Sequence, residues 1–353
     1  MNSNRKEIMI LESGEAVPVF SPVIVSASRS TDIPAFYADW FFNRLKEGYS
    51  CWKNPFCGNK KYAISYCNTR FIVFWSKNPL NLLNYINTLE ERHISCYIQY
   101  TLNDYEDEKL EKGVPPLVQR IDTFKRLVDR LGVGRVVWRF DPLILTDKIS
   151  QEDLLRKIEN IGDKLKGYTE KLVFSYADIL LYGRVEKNLR KNEIQYIDWT
   201  PSMMSDFAQK LSSLNKKWNY ILATCGEKKD YEQYGIKANK CIDDDLIIRF
   251  AYNDNVLMKH LGVEIRKTGM DLFDNSIPDG ALDLGNGLYA LKRYEKAKGQ
   301  RALCQCIESK DIGEYNTCPH LCEYCYANAN KDSAIRNYNV HKQNPYSETI
   351  TGY

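Results

Sequence analysis

No stretch of this 353-residue chain stays apolar long enough to cross a bilayer, which takes about 20 consecutive residues in a helix. Residues 1–15 mix Asn, Arg, Lys and Glu around a short Ile8-Met9-Ile10-Leu11 patch, so they do not read as a secretory leader. The expectation is a cytoplasmic protein with no membrane partner. Charge of one sign is missing too. The 49 Lys and Arg residues against 46 Asp and Glu leave a formal net charge of +3, too little to require nucleic acid or an anionic surface as an obligatory partner. Internal repeats and low-complexity tracts are absent, and no Gly-x-Gly-x-x-Gly follows the first apolar run, which removes the dinucleotide-binding fingerprint.

Short apolar runs rich in β-branched and aromatic residues are present instead, at 23–28, 71–75, 96–100, 135–140, 171–175 and 220–224. Each is strand-sized and nearly continuously apolar, as expected where both faces of a sheet are covered. Helical spacing of apolar residues fills the intervals at 36–46, 79–92, 118–131, 151–165 and 201–214,. Alternation of six strands with helices predicts an α/β fold built on a parallel sheet, as a partial or complete βα barrel of about six units. The domain reading is an N-terminal extension (1–20), the barrel (21–250), a connecting helical or irregular region (251–303), a cysteine segment (304–330) and a polar tail (331–353).

Polar residues gather just after the expected strands: Ser28, Arg29 and Asp32; Lys77 and Asn78; Arg139 and Asp141; Glu227. In a βα barrel those ends face one mouth, where such folds place chemistry. Asp32 and Asn78 each precede a proline by one or two positions, so capping a helix is the competing role.

Eleven cysteines without an export signal point to reduced thiols and a metal site rather than a disulfide framework,. Cys51, Cys57, Cys67 and Cys96 read as core or near-core thiols. Cys318, Cys322 and Cys325 stand apart as C-x3-C-x2-C. Three thiolates so close together can hold three irons of a 4Fe-4S cluster and leave the fourth iron open to a small molecule. Zinc is the alternative, completed by His320, Cys304 or Cys306. Cys304 and Cys306 are therefore further metal-ligand candidates, for the same centre or a separate one, and Cys225 with Cys241 could be a redox pair or buried structural thiols.

The C-x3-C-x2-C spacing, with Tyr324 before the last cysteine and Tyr326 after it, resembles the cluster motif of radical S-adenosylmethionine enzymes, and its context is similar to that of spore photoproduct lyase. Over nearly its full length, through Ser28-Arg29-Ser30-Thr31-Asp32-Ile33-Pro34, Trp75-Ser76-Lys77-Asn78-Pro79 and Trp138-Arg139-Phe140-Asp141-Pro142, the chain also resembles an uncharacterised bacterial family. Those radical enzymes carry their cysteines after the first strand, whereas this motif lies near the far end of the chain. The resemblance therefore implies a cluster supplied to the barrel mouth from the C-terminal end.

It further implies that Cys318, Cys322 and Cys325 ligate a 4Fe-4S cluster whose open iron takes S-adenosylmethionine. Arg29, Lys77 and Arg139 would then anchor carboxylate or phosphate. Asp32, Asp141 and Glu227 would hold ribose hydroxyls or move protons, and Ser28, Asn78 and Tyr324 would line the cofactor. The implied partners are an electron donor and a small-molecule substrate or nucleic-acid lesion. A different class of reading has zinc or a closed cluster shaping a nucleic-acid-binding tail, with Tyr315, Tyr324, Tyr326, Arg336 and Tyr338 as stacking and phosphate contacts.

Overall fold

The computed structural model describes residues 7–55, 57–58, 60–227, 229–269, 277–292 and 304–352. All six apolar runs are strands of one sheet: β1 (Ile24–Ala27), β2 (Phe71–Ser76), β3 (Ser95–Thr101), β4 (Val136–Leu143), β5 (Lys171–Tyr176) and β6 (Ile221–Thr224). Two more join it, β7 (Ile236–Ala238) beside β6 and β8 (Lys310–Asp311) beside β1. The order across the sheet is β7-β6-β5-β4-β3-β2-β1-β8, and every neighbouring pair is parallel. The architecture is thus a mixed α/β fold on an eight-stranded parallel sheet.

Alternation along each strand sends side chains to two covered faces. Val25, Ile72, Phe74, Ile98, Tyr100, Trp138, Phe140 and Phe174 belong to one core, together with helices α1 (Ala38–Glu47), α2 (Leu117–Leu131), α3 (Gln151–Leu165) and α4 (Pro201–Asn215). In α2 the buried residues Leu117, Ile121, Phe124, Leu127 and Val128 recur at helical spacing, and each such side chain fully buried stabilises by about 1.5–3 kcal/mol. A capping box at Ser150 and Asp153 starts α3,. On the other face Ile24, Phe71, Val73 and Tyr97 pack with Ile242, Ile247, Ile248, Leu257 and Met258, from the turn after β7 and helices α5 (Asp244–Ala251) and α6 (Asn255–Leu261).

The structure refines several sequence expectations. The helix expected at 79–92 is a 3-10 turn, Pro79–Asn84, followed by a short α-helix, Ile86–Glu91. The break falls at Tyr85, whose ring stacks on Phe42 with centroids 4.2 Å apart. In the N-terminal segment, Ile8–Ile10 and Ala16–Phe20 form a four-stranded sheet with Tyr49–Asn54 and Lys60–Ser65. Cys51 and Cys96 are buried, but Cys57 and Cys67 are exposed, because both sit in turns flanking the Lys60–Ser65 strand. Within 251–303, Val263–Lys267, Leu282–Gly285 and Leu288–Lys292 make a small antiparallel sheet, and 270–276 and 293–303 lie outside the described residues.

The polar tail is anchored. Helix α7 (Lys331–Gln343) is followed by a turn whose Ser347 carbonyl accepts from Trp40 Nε1 at 2.8 Å and whose Glu348 carbonyl accepts from Cys51 N at 2.7 Å. Among the described residues no helix is long and apolar enough to cross a membrane.

Candidate functional site at the carboxyl ends of the strands

The cysteine trio reaches the sheet through β8. Lys310 and Asp311 pair with Val25 and Ser26 of β1 in parallel, so the chain leaving β8 emerges at the carboxyl ends of the strands. Asp311 secures this join: its carboxylate accepts from Ser28 Oγ at 2.7 Å, Arg29 N at 2.9 Å and Gly313 N at 3.0 Å. Gly313 is required by closeness, since a Cβ there would lie 1.9 Å from Ser28 Oγ. Farther along, Gly113 N donates to the His320 carbonyl at 2.9 Å, and His320 Nδ1 meets the Gly113 carbonyl at 3.0 Å. A Cβ on Gly113 would stand 2.6 Å from the Pro319 carbonyl oxygen.

Asp32 is saturated. Its Oδ1 accepts from Ala35 N at 3.0 Å and Ser76 Oγ at 2.7 Å, and its Oδ2 accepts from Lys77 N at 2.8 Å and His320 Nε2 at 2.7 Å. Burial pushes this carboxyl up, but the His320, Ser76 and Lys77 donors outweigh it and hold the pKa below the ordinary value,. Asp32 therefore caps its helix and also locks the cysteine loop to the ends of β1 and β2. Asn78 occupies the N-cap of the Pro79–Asn84 turn without a side-chain capping bond.

Lys77 lies at the centre of a buried polar network. Its Nζ donates to Glu111 at 2.6 Å and to the Tyr324 hydroxyl at 2.9 Å, and Tyr324 in turn donates to Glu111. Asn103 Nδ2 donates to Glu111 at 3.0 Å, and Arg120 Nη1 stands 3.7 Å from the other carboxylate oxygen. Burial acts to raise the Glu111 pKa, yet Lys77 and Arg120 draw it down to about 2, so Glu111 is an anion and Lys77 its cation. Tyr324, expected to line a cofactor, ties the trio's loop to this ion pair.

Of the trio, Cys322 is buried and Cys318 and Cys325 are half-buried. Burial pushes all three thiols up, so a metal must displace their protons. Backbone N–H groups of His320 and Asp32 point to the Cys318 sulfur, those of Asn328 and Ala327 to the Cys325 sulfur, and the Lys77 cation lies near Cys322. Among the described residues the one set of three ligand atoms mutually within 4.8 Å is Asp243, Asp244 and Asp245. Lys240 and Lys292 already pair with Asp244 and Asp245. The three sulfurs of the trio are therefore not all within 4.8 Å of one another.

On the face of the sheet opposite Trp138 and Phe140, Arg139 pairs with Asp141, which also accepts from Ser175 Oγ. The Arg139 and Arg29 guanidiniums lie 5.2 and 5.7 Å from the Trp75 ring centroid,. Glu227 Oε1 accepts from Tyr176 N at 3.1 Å. Burial, with Asp178 and Asp141 as like charges, raises the Glu227 pKa to about 7. Cys241 contacts Cys225 and Cys306 in this region, so Cys306 is engaged with Cys241 and Cys304.

A family model described as a domain of unknown function, DUF1848, matches residues 24–327. The chain belongs to that family. The matched span runs from the first residue of β1 to two residues past Cys325, so the family's unit includes the eight-stranded sheet and the trio. No curated protein and no solved structure matches the chain.

Of the strand-end candidates, Lys77 pairs with Glu111 and Asp32 with His320, and neither pairing is legible in the sequence. Glu111 sits in a loop with Glu106, Asp107 and Glu108, and nothing local distinguishes it. Of the five side chains considered for nucleic-acid contact, Tyr324 is committed to Glu111, and Tyr338 packs edge-on against Phe36 and Tyr37. Tyr326 is 44% exposed, with its hydroxyl on the Arg29 carbonyl at 2.7 Å.

Proposed function

We propose that this chain is an iron–sulfur enzyme of the radical S-adenosylmethionine type, in which the parallel strands form a partial or complete βα barrel and the last strand in sequence brings the cluster to its mouth. The supporting observation is the position of β8. Although last in the chain, it lies beside β1 at an end of the row, so β8, the cysteine loop and α7 form a βα unit. In space the cysteines follow the first strand of the row, the placement those enzymes have in sequence.

The donor set fits such a group. Cys318, Cys322 and Cys325 offer three thiolates from one loop, with backbone N–H donors directed at Cys318 and at Cys325. When bound, a 4Fe-4S cluster with an open iron supplies one electron to break a carbon–sulfur bond of S-adenosylmethionine. The chain's own residues do the remainder. Lys77, Glu111 and Tyr324 fix the loop in a water-poor setting,. Arg29, near Trp75 and with its Nε buried without a hydrogen-bond partner, offers a guanidinium to a carboxylate or phosphate, and Arg139, paired with Asp141, adds positive charge beside it,. Glu227, with a pKa of about 7, is placed to hold or give up a proton near neutral pH,.

The test is reduction of anoxically purified protein with S-adenosylmethionine present and measurement of 5′-deoxyadenosine. Formation in the wild type and loss in Cys322→Ala support the reading. Colourless protein with zinc bound by the trio and no deoxyadenosine would overturn it.

A further inference from the structure

We propose that Cys225, Cys241, Cys304 and Cys306 form a second metal centre, holding a thiophilic metal on four thiolates on the face of the sheet that carries Arg139, whatever the Cys318 trio binds. Three separate parts of the chain bring these residues together. Cys225 follows β6, Cys241 follows β7, and Cys304 and Cys306 lie just ahead of β8. The Cys225 and Cys241 sulfurs are 3.2 Å apart. Cys306 Sγ accepts from Cys241 N at 3.2 Å and from Ile242 N at 3.4 Å, and it also interacts with Cys241 Sγ and Cys304.

The surroundings are those of thiolates. Asn239 Nδ2 approaches Cys241 Sγ at 3.4 Å and Arg139 Nη1 at 3.5 Å. Neutral thiols are poor acceptors, and these four N–H donors, two directed at each of Cys241 and Cys306, make a setting suited to metal-bound thiolates. Two further donors nearby, Arg29 Nε and Trp75 Nε1, are buried without a hydrogen-bond partner. Four thiolates around one divalent ion would carry a formal charge of about −2, and the Arg29 and Arg139 guanidiniums, both near the Trp75 ring, supply positive charge, that of Arg139 shared with Asp141.

The four sulfurs form a row, with Cys241 touching Cys225 and Cys306, and Cys304 beyond. No three of them lie within 4.8 Å of one another, so binding draws the ends of the row inward, and each thiol gives its proton to solvent as its bond to the metal forms. The centre would join the chain leaving β7 to the chain entering β8, strands at opposite ends of the sheet. It would thereby hold in place the segment that carries the trio.

Zinc and a second iron–sulfur cluster share this tetrathiolate chemistry, and metal analysis separates them. Full-length protein is purified anoxically as the wild type, as Cys225→Ser/Cys241→Ser, and as a variant with Cys318, Cys322 and Cys325 all changed to Ala. The trio variant should retain either about one zinc or a residual complement of iron and sulfide per chain, and either result supports the centre. The Cys225→Ser/Cys241→Ser variant should lose that fraction and keep the trio's metal. A metal-free trio variant that folds, or a Cys225→Ser/Cys241→Ser variant with wild-type metal content, would overturn the proposal. If the double variant fails to fold, iodoacetamide labelling of wild-type protein decides. Cys241 and Cys306 should label at least tenfold faster after a chelator strips the metal, and equal rates before and after would overturn it.

Discussion

Replacing Lys77 with methionine keeps most of the buried stem and removes the ammonium group that faces Glu111 at 2.6 Å. The Glu111 side chain is 3% exposed, so solvent does little to replace the lost partner. Its pKa of about 2 against an ordinary 4.5 corresponds to about 3 kcal/mol of preferential stabilisation of the anion, at 1.36 kcal/mol per unit. Arg120 supplies part of this from 3.7 Å, so Lys77→Met should cost about 2–3 kcal/mol at pH 7, at or just below the roughly 3–5 kcal/mol for breaking a buried pair, because Arg120 remains to face the carboxylate. Because the Glu111 pKa is depressed in the folded state, this stability is present above pH 4.5 and is lost as pH falls toward 2. The variant should therefore show a flatter acid limb. Urea unfolding followed by tryptophan fluorescence, at matched metal content and under anoxic reducing conditions, measures both effects. Adding Glu111→Gln should restore part of the loss by removing the stranded charge. A cost below about 0.5 kcal/mol, or an unchanged cost in the Glu111→Gln background, would refute the reasoning.

Cys322→Ala should abolish iron binding by the trio while leaving far-ultraviolet circular dichroism unchanged, because the sheet core does not depend on that side chain; loss of helical signal would count against this. Glu227→Gln should stabilise the protein above pH 7 by about 1–3 kcal/mol. A carboxyl whose pKa is raised to about 7 contributes stability below its unfolded value and loses it as pH rises through 7, so the variant's pH profile should be flatter between pH 4.5 and 7. Gly313→Ala, which puts a methyl group 1.9 Å from Ser28 Oγ, should cost about 1–3 kcal/mol and lower metal retention by the trio; pairing it with Ser28→Gly should recover part of both.

The strands that build the sheet were legible because each is covered on both faces, which leaves a run such as Phe71-Ile72-Val73-Phe74-Trp75 with no polar interruption,. The short edge strands β7 and β8 were not, since Ile236–Ala238 and Lys310–Asp311 are set by pairing with distant residues rather than by local pattern. Strand-end side chains such as Lys77 and Arg139 could be found from position alone, but Asp32 is occupied by four donors that only the tertiary structure reveals. The convergence of Cys225, Cys241 and Cys306 is invisible to spacing, because 16 and 65 residues separate Cys241 from its two partners.

The proposed iron–sulfur cube would sit on Cys318, Cys322 and Cys325 at the carboxyl ends of the parallel strands. Iron and acid-labile sulfide in anoxically purified wild type, compared with the variant in which all three cysteines are alanine, tests this most directly. The account predicts that the triple change removes about four iron and four sulfide per chain. Equal iron and sulfide in the two proteins, or zinc as the only metal lost, would contradict it.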